Sequence, residues 1–340
     1  MMENETKTSG LGHFLKKYGL SLASGALILG AILYYYFQDG SATEAVLASA
    51  LRHSTPLILG ALCGLIGERS GIINIGIEGQ MLMAAFLSFL ISAFTGSILA
   101  GIVMGLATGA LLGLLLAFMS VTLKVDQIIG GTVINILALG ITGYFYQQGL
   151  TTSGKLQPIA IPGLSEIPLV GEVLFDNPPI TYTTIILVFV VHYVLFFTKW
   201  GLRTRAVGEH PRAADTVGVN VFRIRYINTM VAGAIGGLAG AFLTLEAVGS
   251  FERAMTNGRG FVALAVMIFG KWTPLGSWGA ALLFGLATAM QTQLQFAGTI
   301  DIPHQFIGMI PYVLTIAVLA GFVGRSRPPA AEGIPYEKEG

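Results

Sequence analysis

Apolar residues fall along this chain in long blocks separated by short polar stretches. Ten blocks read as membrane segments, at about residues 20–37, 46–66, 75–94, 97–119, 127–147, 181–198, 226–246, 261–270, 275–297 and 304–323. Most have the roughly 17–25 residues that cross about 30 Å of hydrocarbon. The exception is "FVALAVMIFG", residues 261–270. At about 1.5 Å per residue it covers half the core unless it tilts or continues past Lys271. The pattern predicts an all-α polytopic membrane protein of about ten helices, since helices satisfy their backbone polar groups within one segment.

Charge sets an orientation. Residues 199–225 hold Lys199, Arg203, Arg205, Arg212, Arg223 and Arg225 against Glu209 and Asp215. The loop 148–180 holds one Lys and the acids Glu166, Glu172 and Asp176. The positive-inside rule puts the first stretch in the cytoplasm and the second outside. Lys16, Lys17, Lys124, Arg325 and Arg327 then all fall inside with one parity of crossings. A non-crossing hairpin at 261–270 would move the last pair outside, so ten crossings are kept. The expected layout is a cytoplasmic N-terminal tail (1–19), a transmembrane domain (20–324) and a cytoplasmic tail (325–340). The external loop, with five prolines, is read as a cover. The polar final tail is read as disordered.

Composition sharpens this picture. The 340 residues are 54% hydrophobic and 11% charged, where soluble domains carry about a quarter charged residues. The 45 glycines suit helices that pack closely in lipid. A net charge of +1 supplies no field for nucleic acid, and no nucleic-acid partner is expected. The single cysteine, Cys63, excludes an internal disulfide, and no metal site is expected. The N-terminal "MMENETKTSGLGHFLKKYG" has acidic residues and no clear cleavage site, so the apolar block after it reads as a retained span.

Spans 2–5 and 7–10 form two sets of four around span 6. An offset of five crossings reverses each matching span, the layout of an inverted repeat. Both "GERSGIINIGIEGQ" after span 2 and "GSFERAMTNGRGF" after span 7 hold a Glu-Arg pair with several Gly or Asn. Residues 67–71 of the first can be a cytoplasmic turn, and that explains Glu68 and Arg69. It leaves Glu78 and Gln80 unexplained, because "MLMAAFLSFL" follows directly. Asn74 and Glu78 share a helical face, Gly76 and Gly79 permit close approach, and a charge in hydrocarbon costs about 2.5–3.5 kcal/mol on insertion scales. The alternative reading is a helix N-terminus whose free N–H groups face a polar cavity. Asn135, Glu246, Gln291 and Gln295 are further candidates for that cavity, each weighed against an ordinary helix–helix hydrogen bond.

In "AVGEHPRAADTVGVNVFRIRY", Pro211 fits a first helical position and Gly218 the residue past a helix end. The frame predicts a helix over 211–217 lying across the cytoplasmic face, with Ala213 and Ala214 small enough for a partner to come close. A basic loop touching lipid headgroups would explain the arginines but not this frame.

"VGEHPRAADTVGVNV" resembles the coupling segment of bacterial ABC importer permeases. "GERSGIINIGIEGQMLMAAF" and "GRGFVALAVMIFGKWTPLGS" resemble the branched-chain amino acid, ribose and nucleoside permease superfamily, and within it the shorter subunit of nucleoside (guanosine-type) permeases. The resemblance covers roughly residues 45–323. It implies a transmembrane subunit in the bacterial plasma membrane that pairs with a second permease subunit, two cytoplasmic ATP-binding cassette ATPase subunits and an external substrate-binding lipoprotein. ATP and Mg²⁺ would sit on the ATPase, with no cofactor on this chain. Gly208, Glu209, Pro211, Ala213, Ala214 and Gly218 match the motif that docks in the ATPase. Asn74, Glu78 and Gly79 match the broken-helix motif near the pathway. Where that motif usually has Asn before Pro211, this chain has His210.

Three other classes compete for parts of the chain: an enzyme, an ion-driven carrier and a channel. "GLTTSGKL", residues 149–156, nearly spells a phosphate-binding loop, but Leu156 stands where Ser or Thr would bind Mg²⁺. An ion-driven carrier also uses broken helices, and Glu78 and Glu246 could serve one. A channel is a third possibility. The implied substrate is a nucleoside first, a simple sugar second and a branched-chain amino acid third.

Overall fold

The computed structural model describes the chain apart from residues 1–29, 31–33, 147–148, 153, 298–303, 312, 314–326 and 339–340. Most of the first predicted span and of the tenth therefore lies outside the described residues. The long helices are α1 (Gly40–Glu68), α2 (Ile77–Thr95), α3 (Ile98–Ala117) and α4 (Gln127–Phe145). A loop with a two-stranded pairing, Ile159–Ala160 against Asp176–Asn177, and the short α5 (Gly171–Phe175) follows. Then come α6 (Pro179–Phe197), α7 (Lys199–Glu209), α8 (Pro211–Thr216), α9 (Val221–Ala241), α10 (Arg259–Phe269), α11 (Pro274–Ala297) and α12 (His304–Ile307). Both α3 and α9 run on as π-helical turns, Phe118–Thr122 and Phe242–Val248.

Among the described residues, six helices are long and apolar enough to cross a membrane: α1, α2, α3, α4, α6 and α9, with α3 and α9 counted through their π-turns. The protein is thus a multi-pass all-α membrane protein. The short block at 261–270 is an 11-residue helix, α10, about 16 Å long at ~1.5 Å per residue.

Helices that start at the ends of the bundle are capped by their own neighbours. Asp39 accepts from the Ala42 N–H, Ser97 from Ala100, Asp126 from Ile128 and Ile129, Thr198 from Gly201, and Asn220 from Arg223. Each such cap is worth roughly 1 kcal/mol.

The helices pack in an exchanged pattern. The first long helix, α1, and α9 lie against each other; α1 lies also against α10 and α11, and α9 also against α2 and α3. The α3–α9 contact is the closest. Gly101, Gly105, Gly109 and Gly113 recur every fourth residue along α3. A Cβ on Gly109 would fall 2.1 Å from the Gly233 carbonyl oxygen, and one on Gly237 would fall 2.1 Å from that of Gly105. Backbones meet here with nothing between them, which is how van der Waals contact holds helices together in lipid.

One end of the bundle gathers Glu68, Arg69, Trp272, Gly208 and residues 327–338. The opposite end gathers the loop 149–177, which hydrogen-bonds to Glu44, Leu245 and Gly249. The tail departs from expectation. Residues 327–338 are ordered against the bundle, because Tyr336 and the small Ala331 and Gly333 fit among α7, α8, α9 and the turn at Gly71, and Arg225 holds the Ile334 carbonyl. Charge and proline count concealed those anchors.

Replacing Gly109 with Val should prise α3 from α9, at a cost of roughly 1–3 kcal/mol or more for overpacking. Thermal unfolding in detergent should show a lowered midpoint; an unchanged midpoint would mean the glycine contact contributes little.

Candidate functional site

Beyond Glu68 the chain turns at Gly71, whose φ is +88°, and stays non-helical until Ile77. Gly76 and Gly131 let this stretch lie on α4: a Cβ on Gly131 would sit 2.7 Å from the Gly76 nitrogen. Asn135 of α4 then closes the junction twice. Its Oδ1 accepts the Gly79 N–H at 2.7 Å, and its Nδ2 donates to the Ile75 carbonyl at 3.1 Å. Gln127 Oε1 accepts the Ile73 N–H at 2.7 Å. Asn74, fully buried, donates to Gln80 Oε1 at 3.1 Å, and its Oδ1 and Gln80 Nε2 are buried without a hydrogen-bond partner.

Glu78 reaches across to the second interruption. Its two carboxylate oxygens accept the Gly258 and Gly260 N–H groups at 2.8 and 2.7 Å. These are the first donors of α10, which has no local side-chain cap. A carboxylate there also complements the positive end of the helix dipole. A Cβ on Gly260 would fall 2.5 Å from the Glu78 nitrogen, so the two helix starts nearly touch. The N–H groups at the start of α2 are therefore not all free, as the sequence suggested: Asn135 takes that of Gly79. The half-buried Glu78 carboxylate is engaged by these two donors.

Glu246 serves a third helix start. From the π-turn after α9, its carboxylate accepts the Ile180 and Thr181 N–H groups at 2.7 and 3.2 Å and the Thr181 hydroxyl at 2.5 Å. These are the first donors of α6. Glu246 also lines a cavity of about 530 Å³ with Arg52, His53, Lys155 and Arg259. That cationic lining was overlooked in the sequence, although Arg52 and His53 interrupt an apolar block. Gln291 and Gln295 lie half-buried in the last two turns of α11. That part of α11 shares a cavity with Val46 and Leu47 of α1, far along α1 from Cys63, where Asn74 lies. The structure does not bring these glutamines to the junction.

The second candidate region is the face made by α7 and α8. Helix α8 spans Pro211–Thr216, with Pro211 at its first position and Gly218 left-handed at φ +83° just beyond. His210 makes no side-chain cap. Ala213 is exposed, but Ala214 is 3% exposed and packs inward with Val207, Val221, Ile224 and Tyr336. Only one of the two alanines faces out. Gly208 admits the Arg69 carbonyl, which would lie 2.3 Å from a Cβ. Glu209 accepts the Ala330 N–H at 3.2 Å. Trp200 Nε1 donates to Asn228 Oδ1, and Asn228 Nδ2 to Thr204, pinning α7 to α9.

By sequence Arg225 is one of the positive-inside charges. It is 1% exposed and donates to the Ser70 and Ile334 carbonyls at 3.1 and 2.9 Å. Arg69 forks onto the Trp272 carbonyl, and Trp272 Nε1 donates to Glu68 at 2.6 Å. Glu332 of the tail faces Glu68. Burial raises the Glu332 pKa above the usual carboxylate value, and its hydrogen bond with Glu68 works the other way. The Lys124 ammonium holds Glu337 below that value.

Substituting Glu246 with Leu leaves three buried donors at the start of α6 without an acceptor. Each unmade bond costs about 1–3 kcal/mol. A clear fall in the detergent melting temperature is expected; an unshifted one would remove Glu246 from the role of cap.

A family model described as branched-chain amino acid transport system / permease component matches residues 46–319. The chain is 41% identical to the guanosine ABC transporter permease protein NupQ of Bacillus subtilis (strain 168), over 86% of this chain and 96% of that protein. It is 39% identical to the nucleoside ABC transporter permease protein NupC of Lactococcus lactis subsp. cremoris, over 87% and 97%. It is 35% identical to the putative glucose ABC transporter permease protein TsgC13 of Haloferax volcanii, over 84% and 94%. No solved structure matches.

Proposed function

The chain belongs to the branched-chain amino acid transport permease family, and on that premise we propose that it is the membrane permease subunit of an ATP-driven importer of nucleosides. The observation that carries the reading is near full-length similarity to permeases named for guanosine and nucleosides. Similarity to a putative glucose permease keeps a simple sugar as the second reading.

The partners follow from that role. Two ATP-binding cassette subunits, holding ATP and Mg²⁺, grip the cytoplasmic face at α8. An external lipoprotein delivers the ligand. A second permease chain, different from this one, completes the pathway, and the exposed apolar face of α4 (Ile129, Val133, Ile136, Leu139) is available to it. The chain itself binds no cofactor.

The orientation has both termini in the cytoplasm. In support, Lys124, Arg225 and residues 208–209 share one end of the bundle with the tail. Ten crossings in an inverted repeat agree with the exchanged packing of α1 and α9. Leu294 and Ala331 lie at opposite ends, by Leu47 and by Gly208 respectively.

In the cycle, closure of the ATPase pair moves α7 and α8, and Gly208 presses on the backbone at Arg69, where the broken stretch 69–76 begins. The pathway near Asn74, Glu78, Gly79, Gln80 and Asn135 then changes the side to which it opens. Direction comes from a ligand affinity that differs between the two states. The unpartnered Asn74 Oδ1 and Gln80 Nε2 are the polar atoms at the junction with capacity to spare.

In proteoliposomes of the complete complex, guanosine uptake should stop when the ATPase is inactivated; uptake sustained by an ion gradient alone would reject the importer. Ala213→Arg should release the ATPase while the chain stays inserted, read by co-purification. Asn74→Leu should lower uptake without loss of assembly, and unchanged kinetics would count against the junction as pathway.

A further inference from the structure

We propose that residues 327–338 are a strut that carries movement of α8 to the broken stretch 69–76, so that Gly333 and Tyr336 are positioning residues for transport. This rests on the reading of α8 as the ATPase contact and adds to it a second route inward, beside the direct approach of Gly208 to Arg69.

The tail is bonded on both sides of the gap it bridges. Toward the coupling face, the Ala331 N–H donates to the Gly208 carbonyl at 2.9 Å, and Ala330 donates to Glu209. Tyr336, 7% exposed, packs with Val207 and Ala214, and its ring centroid lies 5.4 Å from that of Phe222. Toward the broken stretch, the Gly333 N–H donates to the Gly71 carbonyl at 3.2 Å. Gly333 has φ +75° and lies so close that a Cβ would fall 2.9 Å from Ile73 Cδ1. Arg225 joins the two sides, since one guanidinium donates to Ser70 and to Ile334. Lys124 fixes the distal part through Glu337 at 2.5 Å.

The coupling helix needs this support. At six residues α8 is far shorter than the roughly 12–15 that hold a helix unaided. Its buried side chain, Ala214, has Tyr336 among its neighbours. Between α8 and the tail lies a groove of about 730 Å³, walled by Pro211 and Ala213 on one side and Ile334 and Pro335 on the other. A push on α8 is therefore received by the tail, and the next rigid contacts of the tail are Gly71 and Ile73, two and three positions from Arg69 and Ser70. A lid over the docking face would be built differently: it would make its contacts with α8 alone.

Two manipulations separate strut from lid. Removal of residues 327–340 should leave the ATPase subunit bound in its usual ratio. Guanosine uptake should fall by about tenfold or more, within the range of coupling losses, while ATP hydrolysis continues. Gly333→Ile, which crowds Ile73, should do the same in a full-length chain and decides the matter if the shortened chain does not accumulate. Conversely, Lys124→Cys with Glu337→Cys, joined by a bifunctional thiol reagent, should leave uptake unchanged, because a strut works in place. Both positions are exposed, and Cys63 is fully buried. Loss of uptake on cross-linking would overturn the proposal in favour of a lid. Normal uptake in both the shortened chain and Gly333→Ile would reduce the tail to a passive end. Loss of the ATPase from the shortened chain would make it a docking surface. Failure of the parent reading looks different: Ala213→Arg would then keep its ATPase, whatever the tail variants do.

Discussion

A helix that begins inside hydrocarbon presents N–H groups that water cannot reach, and an unmade bond there costs several kcal/mol. The organisation of this protein follows from how it meets that demand. Two interior helix starts, those of α2 and α10, and the buried start of α6 beside the loop 149–177, are each closed by a side chain from a distant part of the chain: Asn135, Glu78 and Glu246 respectively. Helices that begin at the bundle ends use a residue next door, such as Asp126 or Asn220. Polar residues in the apolar spans are thus fasteners first. A buried carboxylate that accepts two or three hydrogen bonds recovers part of what its burial costs, which explains how acids persist in these spans.

These fasteners reach their targets because backbones lie unusually close. Gly79 lets α4 bring Asn135 up to α2, and Gly260 lets α10 stand against Glu78. Likewise, the four-residue glycine spacing of α3 brings it against Gly233 and Gly237 of α9. Small residues therefore do two jobs: they supply contact area where lipid gives no hydrophobic drive, and they set the distances at which buried hydrogen bonds form.

Much of this was legible in the sequence. Apolar run length located the six long crossings to within a few residues, except at the start of α1, where Asp39 caps a helix longer than its apolar block. The short block at 261–270 is an 11-residue helix, and the Pro211-to-Gly218 frame matched α8 closely. What composition could not supply was pairing. Glu78 and Glu246 stood out as acids in greasy spans, yet nothing local says that their partners are 180 and 66 residues away. Gln291 and Gln295 have the right helical spacing, but their part of α11 is remote from the junction. Arg225 looked like one more surface cation until its two carbonyl partners came into view. The tail misled because charge and proline content measure average solvation, whereas its docking depends on a few anchors such as Tyr336.

The head-to-head meeting of α2 and α10 has a mechanical corollary. Drawing them apart would strand one anionic group and two amide donors at once, with charged hydrogen bonds worth roughly 1.5–3 kcal/mol apiece. Their starts are in effect riveted. Whatever rocking opens a passage must pivot around this rivet, and the sliding surfaces belong to helix pairs joined by apolar contact alone.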